Sequence, residues 1–368
     1  MISASAPGKI ILFGEHAVVH GQPAIAIPLP AVQVTVTADS AAAGSGVTIH
    51  APDVGETVRI EPHPLASSPW DGEGELQVYD ALVYPVLVVL ETLDLAVPDL
   101  ALTVRSTIPI ASGLGSGAAL AAALMRAVSQ AVGRPLDNDA LNPLVYEVEK
   151  RHHGTPSGID NTVIVYEKPV YFVRGAPLET LTKTLTETSL TETSLTETSL
   201  TKTSLTETSL TKTLTETSLT ETPLTETFHI ARPFTLLVAD SGQTSPTKIA
   251  VADVRALYEQ EPARISAIFA RIGEIVRAAR AAIESGTIES LGPLMNENHA
   301  LLRDLTVSSA ALDRLCAAAC ESGARGAKLS GGGRGGNMIA LVPLDRAGRV
   351  AEALRAAGAV NVIQTTVT

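Results

Sequence analysis

Apolar and polar positions alternate with a period of two over Val32–Thr37, Val47–His50 and Leu100–Val104, which predicts strands, the first two in one antiparallel sheet. A shorter, wholly apolar run, Ile10–Phe13, predicts a buried strand set between Pro7-Gly8-Lys9 and Gly14-Glu15-His16. The spacing becomes helical over Tyr79–Leu93 (interrupted by Pro85), Ala118–Val132 and Leu141–Arg151. Ala118–Val132 is apolar nearly all round, so it reads as a buried helix. Strand pattern returns at Thr162–Val173 and Phe234–Ala239, and helices are predicted at Arg264–Glu284, Leu291–Leu305 and Ser309–Glu321. A strand at Met338–Val342, a helix beginning near Asp345 and a strand at Val360–Thr366 close the chain. Residues 51–74 are rich in Pro, Gly and acids and read as a loop or lid, with Trp70 as its anchor. Asp240–Lys248 reads as a Ser/Thr-rich turn.

Periodicity breaks at Leu181–Thr227, ten units of Leu-Thr-Glu/Lys-Thr, most with an added Ser. A five-residue period fits neither helix nor strand, two units drop a residue, and the tract is short for a solenoid. It is expected to be a low-complexity insertion between two strands, disordered or a loose hairpin, with no chemistry of its own.

Composition narrows the function. The 368 residues allow two domains with real cores, and 45% hydrophobic with 18% charged residues is ordinary for a soluble enzyme. A net charge of -12 without a basic cluster argues against nucleic acid or an anionic membrane as partner, and makes isolated lysines informative. No signal peptide and no membrane-spanning run is evident, so a cytoplasmic location is expected. Cys316 and Cys320 share one helix face without a metal-ligand pattern and read as small core residues.

The chain turns on Ile108–Ala119, IPIASGLGSGAA, which runs straight into the predicted buried helix. Glycines let backbone amides approach a ligand closely, and a helix N-terminus favours anions, so the stretch reads as a phosphate cradle to which Ser116 adds a hydroxyl. Gly113–Ala118 also fits the dinucleotide pattern G-x-G-x-x-G/A, with Asp137 further on, although Pro109 weakens the strand that pattern requires. A plain turn before a core helix is the third reading. Elsewhere, glycines at both ends of Ile10–Phe13 allow Lys9 and Glu15-His16 to face one cavity. Glu149, near a helix end, and Asp160, in a Ser-Gly-Ile-Asp turn, allow two carboxylates in one site; two surface acids beside a turn is the plainer reading. His299 reads as a helix-face residue. A second glycine-rich stretch, KLSGGGRGGN, precedes a strand instead of a helix, which excludes a dinucleotide loop there.

In order and spacing, PGKIILFGEHAVVHG, PIASGLGSGAA and KLSGGGRGGN resemble the three motifs of the GHMP kinases, and GEHAVVHG is similar to the mevalonate kinase branch. The resemblance implies an α+β, two-domain fold. Residues 1–177 would be an ATP-binding domain like ribosomal protein S5 domain 2, 178–227 the repeat insertion, and 228–368 a ferredoxin-like domain. It implies ATP and Mg²⁺ as cofactors and mevalonate as a small-molecule substrate, phosphorylated at the 5-hydroxyl; a homodimer stays open. By position, Asp160 would be the catalytic aspartate and Lys9 the lysine beside it. Glu149, with Ser116, would ligate the metal, and Glu15, His16, Asp160 and Thr247 would line the substrate site. Pro109, Ile110, Ala111, Ser112, Gly113, Leu114, Gly115, Ser116, Gly117 and Ala118 would wrap the nucleotide, closed from the other side by Gly331, Gly332 and Gly333.

Two positions depart from the family pattern. Gly117 stands where a second serine usually supplies a metal ligand, and Arg334 stands where glycine is usual; its side chain is expected to point outward. Alternatives within the fold are a phosphomevalonate kinase, for which extra basic residues near Glu15-His16 are lacking, and a mevalonate 3-kinase. A catalytically weak ligand-binding sensor is the alternative from another class.

Overall fold

The computed structural model describes residues 1–62, 77–109, 113–153, 156–174, 224–243 and 247–368. Its first sheet is built on a long hairpin, β1 (Ile2–Phe13) against β2 (Pro23–Ser40), antiparallel from Ile2↔Ala38 to Phe13↔Ile25. β1 is longer than the apolar run predicts, because its first half alternates and pairs with the solvated half of β2. Its register shifts between Pro7 and Gly8 and again between Ile11 and Phe13. Such bulges re-aim side chains, and these two flank Lys9.

β3 (Val47–Ala51), β4 (Glu56–Ile60), β5 (Leu100–Ser106), β6 (Val170–Val173) and β7 (Leu224–Thr227) complete the sheet in the order β4-β3-β5-β2-β6-β7, with β1 also on β2. β2 and β3 share this sheet, as expected, but it is not purely antiparallel: β3 runs parallel to β5 and antiparallel to β4, and β5 lies between β3 and β2. Part of the expected 51–74 loop is therefore strand; Trp70 lies outside the described residues.

Helices α1 (Gln77–Thr92), α2 (Ser116–Ala131) and α3 (Asn138–His153) follow their periodic patterns. α2 is the buried one, with Ala122, Ala123, Leu124, Met125 and Val128 fully enclosed. The expected strand from Thr162 is instead α4 (Ile159–Tyr166), followed after a short turn by β6. A run of β-branched residues is read as strand by propensity, yet here Gly158 in the left-handed conformation starts a helix whose Ile159, Val163, Ile164 and Val165 are buried. Tertiary burial overrides local preference.

Residues 175–223 lie outside the described structure, and with them most of the repeat. Its last unit differs from the expectation of an inert insertion: Leu224–Thr227 is β7, paired with β6 from Val170↔Thr227 to Val173↔Leu224. Glu226 of that unit forms an ion pair of 2.8 Å with Arg280, whose guanidinium also stacks on Tyr171.

The second sheet comprises β8 (Phe234–Asp240), β9 (Gly326–Ser330), β10 (Asn337–Val342) and β11 (Asn361–Val367), all antiparallel in the order β11-β8-β10-β9. Counted from β8, this is the four-one-three-two order of a ferredoxin-like unit, as expected. Its helices are α5 (Thr247–Gln260), absent from the sequence expectation, α6 (Pro262–Ser285), α7 (Leu291–Asp304), α8 (Ala310–Glu321) and α9 (Ala347–Ala356). α5 was masked by the preceding turn-like stretch, since Thr and Lys at its start resemble loop. The fold is α+β, and one apolar core continues from the first sheet into the second. At the seam His20 stacks on Phe269 of α6 with ring centroids 4.2 Å apart. Among the described residues, no helix is long and apolar enough to cross a membrane.

Candidate active site

The glycine loop is fixed to β1 by the backbone. The Lys9 N–H donates to the Leu114 carbonyl at 2.9 Å, and Leu114 itself is buried. Gly115 then takes φ +77° and caps α2, so the amides of Ser116, Gly117 and Ala118 open the helix without intrahelical acceptors. Only glycine fits at 115. A Cβ there would lie 2.8 Å from Lys9 Cγ and 2.9 Å from Ile164 Cδ1. The Lys9 side chain thus runs directly across the loop toward α4.

Its ammonium meets the Asp160 carboxylate at 3.0 Å, with Lys9 9% and Asp160 33% exposed. Asp160 occupies the first turn of α4, just after the Gly158 cap. Glu149 comes from α3 and is buried. Burial pushes its carboxyl up to about 7; the neighbouring Asp160 adds to the rise and Lys9 opposes it. Lys9, Glu149 and Asp160, drawn from three elements, therefore form one electrostatic group. A Cβ at Gly117 would sit 3.3 Å from Glu149 Oε1, so the start of α2 borders the same group.

Beside the loop, a cavity of about 280 Å³ is lined by Val34, Leu82, Val104 and Ile108, with Ser116 and Gly117 also at its wall. It is mostly apolar and adjoins the amide-bearing end of α2. Of the other residues expected to wrap the nucleotide, Pro109 and Gly113 do not line this cavity, and Ile110, Ala111 and Ser112 lie outside the described residues.

The second glycine stretch comes from the other sheet and reaches the end of β1. Ser330 Oγ donates to the Ile11 carbonyl at 2.7 Å, and His16 Nε2 donates to the Gly332 carbonyl at 3.0 Å. Burial lowers the His16 pKa, so the ring is neutral; with Nε2 protonated, Nδ1 is an acceptor, and it has no hydrogen-bond partner among the described residues. His16 holds φ +61°, a strained value for a side-chain-bearing residue. Glu15 is buried against Lys328, whose Nζ contacts the Glu15 carboxylate and the Leu329 carbonyl. Burial pushes Glu15 up and Lys328 down, and each charge opposes the shift in the other. Glu15 Oε2 also has no hydrogen-bond partner among the described residues.

Gly333, expected to close over phosphates with Gly331 and Gly332, has a packing duty as well: a Cβ there would stand 2.0 Å from the Val307 carbonyl oxygen. Arg334 takes φ +59° and pairs with Asp253, while its Nε donates to the Thr306 carbonyl at 3.2 Å; its charge also helps to lower the His16 pKa. Thr247 is the first residue of α5, and its side chain lies outside the described residues. His299 is a structural residue, accepting from the Leu329 amide at 3.3 Å and facing Asp313 at 3.2 Å.

Sequence reasoning missed Lys328 and Ser330. The available signal was a single charged residue in the short strand GAKLS, in an acidic chain with 27 Lys and Arg against 39 Asp and Glu.

Comparison with known proteins agrees with this geometry. Residues 81–168 match the GHMP kinases N terminal domain and residues 279–360 the GHMP kinases C terminal domain. The chain is 32% identical to a mevalonate kinase of Pyrococcus horikoshii, over 98% of this chain and 94% of that one. It is 30% identical to a mevalonate kinase of Aeropyrum pernix, over 92% and 87% respectively. The structure of L. major mevalonate kinase in complex with R-mevalonate superimposes with a TM-score of 0.74 at 25% identity, covering 100% of this chain and 96% of that chain. The Methanococcus jannaschii mevalonate kinase, 21% identical with a TM-score of 0.73, shares the fold over 99% of this chain and 97% of that one. With the two motif-bearing sheets, the loop at the head of α2 and full-length relatives in agreement, the chain belongs to the GHMP kinase family, in its mevalonate kinase branch.

Proposed function

We propose that this chain transfers the γ-phosphoryl group of ATP to the 5-hydroxyl of (R)-mevalonate. The observation that carries the reading is the Lys9–Asp160 pair, 3.0 Å apart beside the glycine loop at the head of α2. Phosphoryl transfer asks for alignment and charge stabilisation more than for covalent work by the protein. The α2 amides and Gly113–Ala118 cradle the phosphates, and the neighbouring apolar cavity takes the adenine ring. Asp160 accepts the hydroxyl proton or orients the hydroxyl, and Lys9 lowers the cost of the developing alkoxide. Glu15, His16 and Thr247 belong to the mevalonate side of the site, where Glu15 Oε2 and His16 Nδ1, without a hydrogen-bond partner among the described residues, are acceptors suited to hydroxyl donors. The repeat tract divides the chain between an ATP-binding part, residues 1–177, and a second part from 228, with β7 kept in the first sheet.

The donor set fits Mg²⁺. Burial and the neighbouring Asp160 disfavour the charged form of Glu149, and a divalent cation would favour it. No group of three or more His, Cys, Asp or Glu side chains gathers in metal-binding fashion among the described residues, and Mg²⁺ characteristically takes one or two carboxylates plus phosphate oxygens and water. Glu149 and Ser116 would hold the ion, which when bound neutralises charge on the transferring phosphate.

The test is ADP release with ATP and Mg²⁺, comparing mevalonate, 5-phosphomevalonate, homoserine and galactose, with the phosphorylated position read by phosphorus NMR. Turnover with mevalonate giving the 5-phosphate is expected. Turnover only with 5-phosphomevalonate, or ATP binding without any turnover, overturns the reading.

A further inference from the structure

The two halves of the site come from different sheets, so something must set their register. Three side-chain contacts do so within a few residues of each other. Ser330 donates to the Ile11 carbonyl, His16 to the Gly332 carbonyl, and Lys328 to the Glu15 carboxylate. All three join the segment Ile11–His16 to the segment Lys328–Gly332. On one side of this seam Ile11 is two residues from Lys9; on the other, Ser330 leads into Gly331–Gly333. Only the third contact is ionic. Lys328 is wholly buried, and its ammonium also faces the Phe13 ring at 5.8 Å.

We infer that Lys328 is a positioning residue for phosphoryl transfer, acting through Glu15 to fix the Gly331–Gly333 loop of the second sheet against the Lys9–Asp160 pair of the first. The physical case is directional. An uncharged contact tolerates sliding, but a buried ammonium has few alternatives: its bonds to Glu15 and to the Leu329 carbonyl, 2.7 Å away, hold it in place. Losing the carboxylate leaves an uncompensated charge in an apolar core, so alternative registers of the two sheets are disfavoured. The role is distinct from stability alone. A buried ion pair is weak evidence for stability, since well-packed apolar groups often serve as well; specificity of geometry is what it adds here. Chemistry that depends on alignment feels small displacements strongly.

The inference rests on the phosphoryl-transfer reading, and wild-type turnover with mevalonate tests that reading by itself. Lys328→Met keeps the length of the side chain without the charge. In this variant kcat is expected to fall about tenfold or more, with the KM for ATP within about twofold, because the nucleotide is held mainly by the first half. Amide hydrogen exchange is expected to quicken in Gly331–Gly336 and Gly14–His16 and not in α2 or α3, a readout that does not depend on turnover. Should Lys328→Met fail to fold, the double variant Glu15→Gln/Lys328→Met removes both charges and keeps the shape. It is expected to melt near wild type yet show the same local exchange. Wild-type exchange in both segments in either folded variant, or a Lys328→Met kcat within about twofold of wild type, overturns the inference.

Discussion

Lys328 and Glu15 meet across 313 positions of sequence, their side chains 0% and 1% exposed, and join the strand before one glycine loop to the turn after β1. Neither charge would be tolerated there alone. The contact makes the second sheet part of the site, where sequence reading had placed only its glycines.

The Lys9–Asp160 pair predicts a separation of chemistry from binding. Asp160→Asn keeps the shape and the hydrogen bond to Lys9 but cannot take a proton. Turnover should fall by about 10²–10⁴-fold. Nucleotide affinity, measured by titration, should stay close to wild type, since Asp160 lies on α4 and not in the loop at the head of α2.

Gly115→Ala tests the loop itself. The new methyl would stand 2.8 Å from Lys9 Cγ, at a φ of +77° that L-residues avoid. Lys9 must then move away from Asp160, and kcat should drop by about 100-fold. A crystal structure of the variant should show the Nζ–carboxylate distance lengthened from 3.0 Å.

Gly117→Ser should strengthen metal binding. A Cβ at this position lies 3.3 Å from Glu149 Oε1, close but relieved by a shift of a few tenths of an ångström, and it brings a hydroxyl beside the acid. The Mg²⁺ concentration giving half-maximal ATP turnover should fall several-fold. An unchanged or raised value would place Gly117 outside the metal's reach.

Glu149 predicts a pH effect on the metal-free protein. Its carboxyl is raised from 4.5 to about 7, so the folded state holds the proton more tightly than the unfolded chain does. This contribution to stability is fully present below about pH 4.5 and is lost as pH rises through about 7, with a ceiling of about 3 kcal/mol. Between about pH 5 and pH 8.5 the wild type should therefore lose more Tm than Glu149→Gln does, as measured by calorimetry in chelator.

The repeat tract should be dispensable up to its last unit. Deleting residues 181–222 leaves β7 on the edge of β6 and should leave activity near wild type. Extending the deletion through Thr227 removes four paired residues and the partner of Arg280 at 2.8 Å, and Tm should fall by several degrees. Equal melting of the two deletions would show that β7 contributes nothing.

The sequence by itself determined the chemistry-bearing stretches and most of the helices. The two glycine stretches were legible because close backbone approach to phosphate needs glycine, and Lys9, Glu149 and Asp160 were singled out by their place in the family motifs, while their meeting from three separate elements was not legible in the sequence. α2 was legible because one long apolar period permits little else. The tertiary structure decided what depends on partners far along the chain. It made the Val163–Val165 run a helix by burying it, put β5 between β2 and β3, and drew the last repeat unit into the sheet. It also turned Arg334 toward Asp253 and gave Lys328 its meaning. A lysine in a strand carries no information about which acid will neutralise it, because that choice is made by the packing of two sheets and not by any local preference.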